Sequence, residues 1–132
     1  MKIRLALGFI CLCVLSGAAG SQSSQSVNPL GVWRGTSLCL VRPSACHDEV
    51  VVYRIAPTKT ADSVSLDAFK IVNGQEDDMG TLTCYVSAQG ALLTCSFRRG
   101  VWQFNVRADS LTGELRLPDG TKFRDVRTAR SR

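Results

Sequence analysis

The chain holds one histidine, His47, in 132 residues. A single imidazole excludes His-rich zinc sites and leaves few routes to general-base catalysis. There is no Gly-x-Ser-x-Gly elbow and no glycine loop of the phosphate-cradling kind. After residue 20 no apolar run approaches the ~20 residues of a transmembrane helix. Helical periodicity is absent from every window of about ten residues or more. Lysine is scarce as well, with three Lys against eleven Arg between residues 21 and 132. With the short length, these absences argue against a membrane channel and a multidomain enzyme, and the missing helical periodicity points to an all-β chain.

What is present begins with an export signature. Lys2 and Arg4 precede an apolar run from Leu5 to Leu15, and Ser16-Gly17-Ala18-Ala19-Gly20 supply small residues. Residues 1–20 therefore read as a signal peptide, which places the product in a secreted or periplasmic compartment. Ile10 and Leu12 precede Cys11 and Cys13 inside the apolar run, so lipidation is not expected. Residues 21–132 make one small domain with a net charge of +3. Export makes nucleic acid an unexpected partner despite this charge. Residues 21–29 are uncharged and rich in Ser and Gln, and read as a flexible linker. The domain proper is expected over residues 30–128, with 129–132 as a basic tail.

Four cysteines remain after the signal, Cys39, Cys46, Cys84 and Cys95. In a small exported domain such a set indicates disulfides more often than a metal. Gln89-Gly90 lies midway between Cys84 and Cys95, and Arg42-Pro43 between Cys39 and Cys46. Four-residue hairpin loops over Ala88–Ala91 and Val41–Ser44 would bring both pairs face to face at non-hydrogen-bonded positions. Cys39–Cys46 and Cys84–Cys95 are thus the expected bridges, each stabilising by about 2.5–3 kcal/mol on the chain-entropy model.

Strand candidates are Val32–Leu40, Val50–Ile55, Val64–Val72, Thr81–Val86, Leu92–Phe97, Val101–Arg107, Leu111–Leu117 and Thr121–Arg127. Turn residues separate them, and the spacing of roughly ten residues marks an all-β sandwich or barrel. Trp102, Phe104 and Val106 alternate with Gln103, Asn105 and Arg107, as on a half-buried antiparallel strand. The connections are too short for helical crossovers, so successive strands should pair as a meander. Closure into an eight-stranded up-and-down barrel removes the exposed edges and is the preferred architecture, with a two-sheet sandwich as the alternative. Phe97, Leu93, Leu115 and Leu117 join Trp102 and Phe104 as interior candidates, expected to fill a bore about as wide as its side chains.

Gly31-Val32-Trp33 on the first strand of such a meander resembles the calycin barrels: lipocalins, avidins and bacterial metalloprotease inhibitors. The resemblance implies that Trp33 closes one end of the barrel. It also implies an arginine near the end of the last strand packed across the indole, with Arg124 and Arg127 as candidates. The segments Cys46–Tyr53, Lys70–Gly74 and Met79–Leu82 are similar to small exported bacterial proteins, a likeness that brings no activity with it.

Candidate chemistry is thin. His47 with Asp48 or Glu49 has the residue types of a base or metal site, but neighbours in a strand point to opposite faces. A polar hairpin end is the plainer reading. Glu76-Asp77-Asp78 has too few ligands for calcium and reads as a solvated acidic turn. No catalytic residue, cofactor or metal site is assigned, and a monomer is expected. The expected function is non-enzymatic binding of an apolar or mixed-charge ligand at the barrel end away from Trp33. That end should carry Arg42, Arg98, Arg99, Glu76, Asp77 and Asp78 as a mixed-charge rim. The alternative is inhibition of an exported hydrolase through a projecting segment, either Ser21–Asn28 or Asn73–Gly80.

Overall fold

A computed structural model describes Gly20 and residues 25–132; the expected signal peptide and the start of the linker lie outside the described residues. The described residues form eight antiparallel strands: β1 (Gly31–Cys39), β2 (Glu49–Pro57), β3 (Ser63–Val72), β4 (Gln75–Ser87), β5 (Leu92–Phe97), β6 (Gly100–Val106), β7 (Ser110–Arg116) and β8 (Lys122–Arg130). Each pairs with the next and β8 returns to β1, so the sheet closes into a barrel in strict chain order. The barrel, not the sandwich, is the architecture. Among the described residues no helix is long and apolar enough to cross a membrane.

Period-two alternation sorts the side chains. Trp33, Val51, Tyr53, Ile55, Leu66, Leu93, Phe104, Leu111 and Val126 are buried inside the bore. Both expected disulfides are formed, and Cys84 and Cys95 are fully buried. Cys84 and Cys95 stand one step beyond the Tyr85–Thr94 pair, directly opposite across the β4–β5 hairpin. The loop there is Ala88–Ala91, as the spacing implied. The Cys39–Cys46 bridge is different in kind. The last β1–β2 pair is Ser37–Glu49, so Cys46 sits in a nine-residue loop, 40–48, rather than on a strand. Asp48 organises that loop by accepting from the Cys39 amide at 2.8 Å and from Arg42 at 2.9 Å. Hairpin pairing therefore ends three residues before the loop that the cysteine spacing suggested.

Three further expectations are corrected. Residues 75–80 are not a turn: Asn73-Gly74 alone turns the chain, both at positive φ, and β4 starts at Gln75. Asn-Gly is the preferred pair for a two-residue hairpin, and the β3 partner holds the acidic run extended in spite of its low strand propensity. A bulge opposite Ala68 and Phe69 accommodates Met79. The end of the supposed linker is fastened down, because Val27 N–H donates to Gln89 O at 2.9 Å and Pro29 O accepts from Trp33 Nε1 at 2.9 Å. Half of the basic tail is strand, since β8 runs to Arg130, and Ser131 N–H still donates to Val32 O.

Candidate functional site

The two ends of the barrel are built differently. At one end the fully buried Trp33 is the plug, and Arg130 is the residue over it, its guanidinium carbon 4.1 Å from the ring centroid. Arg130 also donates to the carbonyls of Ala108, Leu30 and Asn28 at 2.9, 2.6 and 2.7 Å. Arg124 and Arg127 do not hold this place. On β8 the inward positions are Arg124, Val126, Thr128 and Arg130, and Arg130 pairs with Trp33 in register. Arg127 lies on the outer face with its side chain 76% exposed, and Arg124 is three inward positions away, at the other end.

That other end is hollow. A cavity of about 230 Å³ is walled by Leu66, Ala68, Leu82, Phe97, Trp102 and Phe104, with Tyr53, Ser37, Glu49 and Arg124 on one side. An adjoining recess of about 460 Å³ shares Glu49, Met79, Phe97 and Arg124, and adds Arg99, Leu115, Leu117 and Phe123 at the mouth. The expected filling of the bore therefore holds for the buried core from Trp33 to Leu66 and Phe104 and fails at the mouth beyond it. Two sequence features open the rest. β4 pairs with β5 only over Tyr85–Ser87, so the wall splays below the buried disulfide. The inward pair facing across β3 and β4 at that level is Ala68–Gly80, two of the smallest side chains.

The aromatic wall is fixed in place. Trp102 stacks on Phe104 with centroids 5.4 Å apart, and Tyr53 meets Phe104 edge-on at 5.7 Å. Gly113, paired with Phe104 on β7, leaves the space that the Phe104 ring occupies; a Cβ there would strike the ring.

The polar side is the chemically unusual part. Arg124 Nη1 donates to Ser37 Oγ at 3.1 Å and to His47 O at 3.0 Å, and stands 3.5 Å from Glu49 Oε2. Its Nε and Nη2 meet no acceptor among the described residues, and neither the Glu49 carboxylate nor the Tyr53 hydroxyl has a hydrogen-bond donor there. No buried side-chain N or O atom among the described residues lacks a partner. These unpaired atoms therefore keep some access to solvent, on residues that line the cavity. Burial pushes the Tyr53 phenol well above its ordinary range, Arg124 pulls it partly back, and Glu49 pushes it further up.

The rim residues expected from the sequence do not converge. Arg99 lines the mouth, while Arg98 is exposed beside it in the β5–β6 turn. Arg42 is bound to Asp48. Glu76 faces the outer wall, held by two 2.8 Å bonds from Arg54 that lower its carboxyl below the usual range. Asp77 lies 3.9 Å from Lys70, and Asp78 accepts from the Gly80 amide at 2.7 Å. A strand places alternate residues on opposite faces, and each of the three acids is taken up by a different partner. The His47 side chain is exposed and only its carbonyl serves the site.

Sequence reasoning missed Glu49 and Tyr53 as cavity residues and put Arg124 at the wrong end. The signal was there: Glu49, Val51, Tyr53 and Ile55 share one face of β2, and Arg124 shares a face with Val126. Comparison with family models, curated proteins and solved structures finds no match to this chain. The site must be read from its own geometry.

Proposed function

We propose that the domain is an exported, non-enzymatic binding module that takes a small, largely apolar ligand in the open half of the barrel. One observation carries this: an apolar, aromatic-walled cavity at one end of a barrel whose other end is plugged. Binding pockets are concave and mainly apolar, with a few converging polar groups that set orientation, and this mouth has that composition. Its volume suits a ligand below drug size. The paired cysteines and the signal-like residues 1–20 support an oxidising, exported setting.

A second reading has one observation behind it. Residues 75–81 of β4 are exposed, and β2 pairs with β3 only as far as Lys70, so the β3–β4 tip projects past its neighbours. That arm, with exposed Val72 and Met79, would serve an inhibitor. The cavity is the stronger ground.

The test uses indole as a small apolar probe, followed by amide and Trp side-chain NMR shifts. Indole should shift Trp102, Phe104 and Gly80, and Ala68→Phe should abolish the shifts while the fold stays intact. Shifts scattered over the outer surface, or unaffected by Ala68→Phe, refute the cavity.

A further inference from the structure

The cavity wall carries two opposite charges that the protein leaves unfinished. Glu49 has its side chain 21% exposed and Arg124 14%, so both are largely withdrawn from water. Their 3.5 Å separation is longer than the 2.7–2.9 Å of a charge-assisted hydrogen bond. Ser37 Oγ and His47 O hold Arg124 by Nη1 alone, which leaves Nε and Nη2, the fork that binds carboxylates bidentately, without an acceptor among the described residues on a side chain that lines the cavity. Beside it Glu49 is an acceptor without a donor, and the Tyr53 hydroxyl completes the set. Charged atoms at the edge of a cavity are completed by water or by a ligand, and a ligand that supplies both hydrogen bonds and the complementary charge replaces that water favourably.

We propose that the ligand of this mouth is a free apolar α-amino acid, its carboxylate on the open edge of Arg124, its ammonium on Glu49, and its side chain among Trp102, Phe104, Leu66 and Leu82. The inference rests on the binding reading above and adds the head group. Charge balance decides among head groups. A simple anion meets Glu49 beside Arg124, and a simple cation meets Arg124 beside Glu49; a zwitterion is attracted at both ends. A neutral amide satisfies the hydrogen bonds without the two charge terms. Between Ala68, Gly80 and the aromatic wall the cavity has room for a side chain of the Leu or Phe kind.

The experiment is calorimetric titration of the full domain with L-phenylalanine, N-acetyl-L-phenylalanine, phenethylamine and 3-phenylpropanamide, with indole as the apolar probe. L-Phenylalanine should bind best, each of the other three phenyl compounds about tenfold or more weakly. Glu49→Gln, which keeps shape, should erase the advantage of L-phenylalanine over its N-acetyl form. Arg124→Gln should erase the advantage over phenethylamine. Because Arg124 also holds the β1–β2 loop, the Glu49→Gln result decides if that variant unfolds. Equal binding of L-phenylalanine and any of the other three phenyl compounds, or indole binding with no L-phenylalanine binding, overturns the zwitterion assignment and leaves the apolar cavity standing. Failure of indole and of L-phenylalanine alike overturns both.

Discussion

Replacing Arg130 by Met should unlock the plugged end. The guanidinium over the Trp33 indole contributes about 0.5–2 kcal/mol, the upper part applying where the pair is desolvated. Its three donations to carbonyls add charge-assisted bonds of about 1.5–3 kcal/mol each when buried. Only the bond to Leu30 O is part-buried; those to Asn28 and Ala108 are exposed and contribute a fraction of that. The loss should come to about 3 kcal/mol, a fall in Tm of about 10–15 °C for a domain of this size. Arg130→Lys keeps the charge and loses the fork, so it should recover less than half of the loss. Urea unfolding followed by Trp fluorescence gives the free energies. A double-mutant cycle with Trp33→Leu should return a coupling of about 1–2 kcal/mol. Two results would refute the reasoning: Arg130→Met within about 0.5 kcal/mol of the parent, or an equal loss from Arg127→Met, whose side chain lies on the outer wall.

Removing the buried Cys84–Cys95 bridge with paired Ala substitutions should cost more than removing Cys39–Cys46, about 4 against about 2.5 kcal/mol, since it loses core packing as well as loop constraint; chemical denaturation ranks the two. Gly113→Ala should displace Phe104, lower stability by about 2 kcal/mol and weaken indole binding in the same titration. The raised Tyr53 phenol has a defined sign: its stabilisation is complete below the unfolded tyrosine value of about 10 and is lost as pH rises above it. Alkaline unfolding curves should therefore flatten in Tyr53→Phe; an unchanged slope above pH ~10 would count against the buried phenol. The lowered Glu76 carboxyl acts at the other end of the scale. Its contribution is present above the ordinary carboxylate range and fades as pH falls through that range, so Glu76→Gln should reduce the acid sensitivity of the β3–β4 hairpin, read by amide exchange.

Much of the architecture was legible because period-two alternation and turn chemistry are local signals. Trp102, Phe104 and Val106 told their face from three residues, and the cysteine spacing gave both bridges. What was not legible depended on partners far along the chain. The acids Glu76 to Asp78 have poor strand propensity alone, and only the β3 partner makes them a strand. Arg130 looked like tail because its three acceptors come from residues 28, 30 and 108, which no local window joins.

The same distinction explains why the site escaped notice while the fold did not. A cavity is made by what is missing, here the side chain of Gly80, all but the Cβ of Ala68, and the pairing that β4 does not make with β5. None of these is a motif. Glu49 was weighed only with its neighbours His47 and Asp48, yet it acts with Arg124, seventy-five positions further along the chain. In a closed barrel the inward faces of all strands meet, so two charges placed on distant strands become one polar wall once the register is set. β1 links them: Ser37 pairs with Glu49 on β2 and with Val126 on β8, and its hydroxyl accepts from Arg124. A small side chain at Ser37 is what lets Arg124 lie across the mouth toward His47 O. A larger one there would push the guanidinium out and fill the polar half of the cavity, so the proposed head-group site depends on Ser37 as much as on the two charges.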